Sequence, residues 1–579
     1  MKKIILISSL FFLLLPILSE AKINAFGMNM HLRERITNEN WDEATEFAAS
    51  AGVKWAREQF NWDVVEPTDN TYSWTQYDNI MTNYQNQNIN VLGLLTYSSS
   101  WASTNPGSSN YYYYPPNSIA WKDYVSNVAT HYADSIDYWE IWNEPNHEGF
   151  WLPEPDYQQY AVYLYDAYTK IKAANPDAKV IIGGMSGTDT VYLGNLIDYL
   201  KANYETVPFD IVAVHPYRVK DDNFNYSPEQ TVTGLNSLTT DLYNLRALMK
   251  DKGFPNKPVW LTEFGWSTYT DGVYDKTQAS FLMREFILAL AVPKVEKGFW
   301  YDFRDDSSNE DYIESNFGIM NNDWTQKTAY PAYSRTANYL VNSTFKSVQL
   351  ISSKTVDDFS KPNTWEFSGT TNTNGSITGE GGNKIKINYK FTKSDANCYA
   401  PVAKEITLPL KSRVLQFRAK GSNSTTELRM RIKDKNGETF QYNIGNLPSD
   451  WLTYRINLAQ YTSNWGGDAN GKLDRPLKFQ SFVIDDNPDG SKDSGNIWLR
   501  GLKSSSKGGV YYYKFKKKGK PTYAIWNTNG SARVNLSLSK ATQLRMITTE
   551  KESVIKASDG KFNIKLTPRP KILRVKKQK

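Results

Sequence analysis

Two stretches place carboxylates where they can do chemistry together. One is Trp139-Glu140-Ile141-Trp142-Asn143-Glu144-Pro145-Asn146; the other is Trp260-Leu261-Thr262-Glu263-Phe264-Gly265-Trp266. Each is an apolar run that delivers a glutamate at its end. Two carboxylates flanking one acetal bond can split it, one protonating the leaving oxygen and the other attacking the anomeric carbon. The tasks need opposite tuning. An attacking carboxylate must stay ionised, which a nearby cation and phenol secure. Arg57, His215 and Tyr217 are candidates for that support beside Glu263. A proton donor needs a drier setting, which Trp142 and Pro145 offer Glu144. Asn143 can bond a sugar hydroxyl, and Trp101 and Trp300 offer aromatic faces. Each residue also has a plainer reading. Strand-end glutamates are commonly solvated or salt-bridged, His215 can be a core histidine, and Trp300 can pack the barrel top. Glu140 reads as the structural partner of a buried cation, and Glu66, Glu148, Asp302, Asp305 and Asp306 as loop or cleft-rim charges.

Such residues need a frame that brings distant strand ends together. Eight apolar runs provide one: Ala25–Met30, Val53–Phe60, Asn90–Tyr97, Ile136–Trp142, Lys179–Met185, Phe209–His215, Pro258–Phe264 and Lys297–Phe303. Stretches of helical spacing separate them, at Glu39–Ala51, Ile119–Ala133, Tyr157–Ala174, Thr239–Lys252 and Lys276–Ala291. Strands apolar on both faces and alternating with helices predict a parallel sheet. Eight units in about 300 residues predict a closed (β/α)8 TIM barrel, with chemistry at the C-terminal strand ends. Arg57 is then expected to end the second strand, and Glu144 and Glu263 to face each other from the fourth and seventh. The rival, a doubly wound open sheet, would usually carry a glycine-rich phosphate loop after its first strand, and the sequence has none.

Past residue 345 the chain turns rich in Gly, Asn, Ser and Thr, with short alternating strands. The fold class is therefore multidomain, α/β plus all-β, a barrel followed by β-sandwich (jelly-roll) domains. The boundaries read as a signal peptide at 1–21, a catalytic barrel at 22–342, a small accessory sandwich from 343–351 plus 508–579, and a jelly-roll module at 352–507. Lys503 to Gly509 reads as a linker between the β regions.

Met1-Lys2-Lys3, an apolar run to Leu18 and Ser19-Glu20-Ala21 form a signal-peptide pattern with cleavage expected after Ala21. The expectation is an exported bacterial protein, secreted or periplasmic, with no membrane partner after cleavage. The single cysteine, Cys398, excludes an intramolecular disulfide and a thiolate metal cluster. A net charge of +6 over 579 residues is small, and nucleic acid is a poor partner for an exported chain. With 18 Trp and 38 Tyr, the aromatic content suits either a large core or sugar-stacking clefts.

Trp142-Asn143-Glu144-Pro145 and Thr262-Glu263-Phe264-Gly265 resemble the two signatures of clan A glycoside hydrolases. Tyr138 to Asn146, together with Arg57 and Phe60 to Pro67, is most similar to family 39 and related family 5-like members. The resemblance covers about residues 24 to 340. It implies Glu144 as acid/base, Glu263 as nucleophile and Asn143 on the sugar 2-hydroxyl. It further implies that Arg57 and a residue of His215-Pro216-Tyr217 support the nucleophile, and that Trp300 floors the −1 subsite.

The expected activity is a retaining glycosidase acting on a β-linked polysaccharide or oligosaccharide, endo-acting, with the loop Trp101–Pro116 lining an extended cleft. The alternatives are an exo-acting β-xylosidase-like enzyme and, from another class, a non-catalytic carbohydrate-binding protein. In family 39-like enzymes a small sandwich follows the barrel, so residues near 352 to 506 read as an insertion resembling jelly-roll carbohydrate-binding modules. Trp365, Tyr399, Trp451, Trp465 and Trp498 are its candidate sugar platforms. No cofactor is expected, although Asp357, Asp358, Asp485 and Asp486 are candidates for a structural calcium. The substrate sugar and the oligomeric state are not legible.

Overall fold

Eight parallel strands close into a barrel: β1 (Phe26–Asn29), β2 (Trp55–Asn61), β3 (Asn90–Thr96), β4 (Tyr138–Asn143), β5 (Lys179–Ser186), β6 (Val212–His215), β7 (Val259–Phe264) and β8 (Val295–Trp300). This computed structural model describes residues 24–576 apart from 222, 233, 371, 394–397, 423–425, 487–491, 539 and 540. The expected signal peptide lies outside the described residues. Among the described residues no helix is long and apolar enough to cross a membrane.

The intervening helices form where apolar residues recur on one face. In Tyr157–Ala174, Tyr160, Ala161, Leu164, Ala167 and Ile171 are buried at helical spacing. Asp156 caps that helix by accepting from the Gln158 and Gln159 amides. Inside the barrel, Trp55, Leu92, Ile181, Trp260 and Phe299 form an apolar plug. Arg57 lies in the middle of β2 rather than at its end, so its guanidinium sits inside the barrel, 3% exposed.

Two antiparallel sheets make the jelly-roll. One contains Thr373–Gly379, Lys384–Phe391, Ser494–Ser505, Val414–Gly421 and Leu452–Asn457; the other contains Tyr399–Thr407, Lys478–Asp485, Glu427–Lys433 and Thr439–Asn446. Their inner faces meet, with the Phe417 and Phe482 rings 4.8 Å apart. Ser343–Val348 hydrogen-bonds to Val510–Lys517, so strands before and after the jelly-roll share one sheet. That sheet rests on the barrel, where Trp526 donates to Glu229 at 2.8 Å.

Lys503 to Ser505 are not linker. They end strand Ser494–Ser505 and pair with Val414–Gln416, leaving only a tight turn before Val510. Two of the candidate calcium ligands already hold cations. Asp357 ion-pairs with Lys404, and Asp485 with Arg429 at 2.7 Å. Three other acids, Asp434, Asp468 and Asp474, converge within 4.8 Å of one another. Hydrogen bonds from Asn436 and from local backbone amides already occupy them.

Candidate active site

Glu140 fixes the site from below. Its Oε2 receives Arg57 Nε at 2.6 Å, and its Oε1 accepts from Gly184 N at 2.8 Å and the Thr262 hydroxyl at 2.9 Å. It is fully buried and serves as the partner of a buried cation. Losing one member of such a buried pair costs about 3–5 kcal/mol, because the other charge is left uncompensated. Arg57 is therefore held rigidly, and its remaining nitrogens point upward. Nη1 donates to Glu263 Oε1 at 2.6 Å, and Nη2 donates to Asn143 Oδ1 at 2.9 Å. Tyr217 donates its hydroxyl to Glu263 Oε2 at 2.9 Å. Burial works against the Glu263 charge, yet His215, Arg57 and Tyr217 outweigh it and hold the carboxyl below its ordinary value.

His215 ends β6 and links the two glutamates. Its Nδ1 lies 2.8 Å from Glu144 Oε1 and 3.8 Å from Glu263 Oε2. Its Nε2 lies 3.1 Å from Thr262 Oγ1. Because the Thr262 proton goes to Glu140, that oxygen is an acceptor for His215, so Nε2 carries a hydrogen. One proton then remains to be shared along the Nδ1···Oε1 bridge. Burial opposes charge on His215, but the Glu263 carboxylate and the Glu144 hydrogen bond raise it above its ordinary value. Gly184 makes the approach feasible, since a Cβ there would sit 2.1 Å from His215 Nε2.

The carboxylates of Glu144 and Glu263 and a His215 nitrogen all lie within 4.8 Å of one another. Glu144 reaches this point through a backbone distortion. Trp142 and Glu144 both have left-handed φ, at 68° and 46°. Each such residue costs about 1–3 kcal/mol and persists only where the surroundings impose it. The Glu144 amide is tied to the Gly184 carbonyl at 3.0 Å. Asn143 spends its oxygen on Arg57, and its amide nitrogen has no hydrogen-bond partner among the described residues.

Residues 42–341 match the sequence pattern of Glycosyl hydrolases family 39. The chain belongs to that family. Among curated relatives, a β-xylosidase from Geobacillus stearothermophilus is 22% identical over 213 residues, 34% of this chain and 41% of that protein. A β-xylosidase from Caldicellulosiruptor saccharolyticus is 23% identical over 235 residues, 38% of this chain and 46% of that protein. The chain thus spans less than half the length of each. The solved structure of a family 39 glycoside hydrolase from the gut symbiont Bacteroides cellulosilyticus WH2 shares the fold, with a TM-score of 0.58 at 17% identity, over 96% of this chain and 81% of that one.

The resemblance implies Trp300 as the floor of the −1 subsite, and Trp101 and Trp142 are further candidates for substrate contact; the structure packs all three against protein. Trp300 is fully buried, stacked on Trp266 at 6.1 Å, and has no face free for a sugar. Tyr301 stands in its place at the mouth, its hydroxyl accepting from Arg35 at 2.6 Å and its ring 6.3 Å from Tyr217. Trp142 is 2% exposed and packs edge-on against Trp151 at 5.2 Å. Trp101 is half-buried, bonded to the Glu66 carbonyl at 3.1 Å and edge-on to Trp62. Asp302 and Asp305 are buried ion-pair partners of Arg35 and Lys327, not rim charges, and Glu66 is a buried acceptor for the Trp62 indole. Sequence reasoning missed Arg35 and Tyr301. The one available signal was that Tyr301 directly follows the strand-eight tryptophan.

A groove of about 330 Å³ opens beside the mouth, lined by Arg33, Gln59, Asn61, Asp63, Tyr97 and Tyr112 among others. Tyr112 comes from the aromatic loop after β3, and Tyr111 anchors that loop by donating to Asp63 at 2.6 Å.

Proposed function

We propose that the protein is a retaining β-glycosidase that cleaves β-linked polysaccharide or oligosaccharide by double displacement. Glu263 is its nucleophile and Glu144 its acid/base. The observation that carries this reading is the pair of glutamate oxygens within 4.8 Å, bridged by His215. That separation suits direct attack and a covalent intermediate. An inverting pair needs about 6.5–9.5 Å to admit a water. The asymmetric surroundings divide the roles. Glu263 receives a guanidinium and a phenol and stays ionised, whereas Glu144 shares one proton with His215. Asn143, at the C-terminal end of β4 with its oxygen held by Arg57, is positioned for the sugar hydroxyl beside the reacting carbon.

The groove beside the mouth supports endo action on a chain longer than one sugar. The names of the curated relatives favour a second reading, an exo-acting β-xylosidase. Sizing the early products from xylan and from xylo-oligosaccharides separates the two. Mid-chain fragments indicate endo action, and monosaccharide alone indicates exo action.

The stereochemical course tests the core proposal. Proton NMR of the first turnovers on an aryl β-glycoside is expected to show the β-anomer before mutarotation. An α-anomer as first product would end the double-displacement reading. The Tyr217→Phe variant gives a second check. Removing a hydrogen-bond donor from a charged carboxylate raises its pKa. The acid limb of kcat/KM is therefore expected to shift to higher pH, and an unchanged limb would place Tyr217 outside the nucleophile's support.

A further inference from the structure

A second feature lies away from the barrel mouth. The jelly-roll, the strand Ser343–Val348 and the barrel edge at Pro293 bound a cleft of about 490 Å³. Lys346, Arg418, Arg500 and Lys503 line it, with the Trp451 ring among them. None of these four cations makes an ion pair among the described residues. Arg418 Nε is buried and makes no hydrogen bond among the described residues. The only carboxylate on the wall among the described residues, Asp358, accepts from the Ser360 amide and Asn383 instead.

The strand register makes this arrangement costly. Arg500 lies directly opposite Lys384 on one neighbouring strand and Arg418 on the other. Like charges directly opposite destabilise a sheet. The next outward row repeats the pattern, with Trp498 flanked by Lys386 and Lys420. Lys420 Nζ lies 4.5 Å from the Trp498 ring, and the Arg500 guanidinium lies 4.5 Å from the Trp451 ring. Among the described residues Glu380 is the acid ion-paired to this strip, 3.5 Å from Lys384 and 3.8 Å from Lys386. Strand residues alternate between faces, so these rows stand about 7 Å apart on one outward surface. The result is a strip of cations interleaved with indoles, open at the cleft and continuing across the sheet.

We propose that this surface binds an anionic polysaccharide carrying uronate carboxylates or sulfate esters. Arginine forks match either anion in bidentate fashion, and lysines add point charge. The two tryptophans offer faces on which the C–H side of a sugar ring stacks. A bound anion relieves the repulsion that the register builds in. The choice of a glycan among polyanions rests on the glycosidase reading; the cationic strip itself does not.

The test uses the full chain with Glu263→Ala, to prevent turnover, and measures binding to four probes. These are glucuronoxylan for carboxylate, carrageenan for sulfate, neutral arabinoxylan and duplex DNA. At least one acidic glycan is expected to bind ten-fold or more tightly than the neutral chain, weakening steeply with salt, and which one does so identifies the anion. Adding Arg500→Gln and Lys420→Gln is expected to remove that preference with thermal melting unchanged. If that variant fails to fold, Lys346→Gln with Lys503→Gln, on exposed positions, carries the same expectation. Equal affinity for acidic and neutral chains, retained preference in the variants, or DNA binding as tight as either acidic glycan would overturn the proposal. Hydrolysis of an aryl β-glycoside by the wild-type chain separates the two readings. Turnover without acidic-glycan binding removes only this inference, and binding without turnover removes only the glycosidase reading.

Discussion

Replacing Glu263 with alanine is expected to lower kcat by on the order of 10⁵-fold, about 7 kcal/mol of barrier, while sugar binding persists. The effect is large because no other group can attack in its place. Glu144 already shares its proton with His215, and Glu140 is enclosed by Arg57, Gly184 and Thr262 below the mouth. The fold is expected to survive, because Arg57 keeps Glu140 as a buried counter-ion and Asn143 as a second acceptor. Calorimetric titration with an oligosaccharide, beside a melting curve and a turnover assay, separates lost chemistry from lost structure. Near-normal turnover in the variant would remove Glu263 from the nucleophile's role.

The sequence made the frame of this site legible because apolar runs mark barrel strands with little ambiguity. Observed strand ends fall within a few residues of the runs, and helix Tyr157–Ala174 matches its expected span. The two glutamates were legible for the same reason, as carboxylates at the ends of such runs. What failed was single-residue register. Successive strand residues point to opposite sides, so an error of one position moves a side chain from mouth to wall. That is the difference between Trp300, buried against Trp266, and Tyr301, bonded to Arg35. Trp142 failed differently. Its left-handed backbone turns the indole into the packing against Trp151, and no local propensity announces a positive φ at a tryptophan. The cationic strip was hidden because it arises from pairings between distant strands. Lys384, Arg418 and Arg500 become neighbours only through tertiary register.

The Glu144→Ala variant carries the second large effect, and its size is expected to depend on the leaving group. A natural sugar leaving group needs protonation as its bond breaks, so kcat/KM on oligosaccharides is expected to fall about 10³–10⁴-fold. A dinitrophenyl leaving group needs almost none, so kcat/KM on that glycoside is expected to change little. Its kcat should still fall about 10²-fold, because the second step requires a base to activate water. Added azide needs no base, and is expected to restore kcat and release a β-glycosyl azide. His215 sharpens this expectation. With Glu144 gone, its Nδ1 loses the 2.8 Å partner and is left 3.8 Å from Glu263, where it can interact electrostatically but lies beyond hydrogen-bond reach. The histidine then has no carboxylate within hydrogen-bond reach of Nδ1 to orient it as a replacement acid. A uniform loss on both substrates, with no response to azide, would show that Glu144 serves the structure rather than the proton transfer.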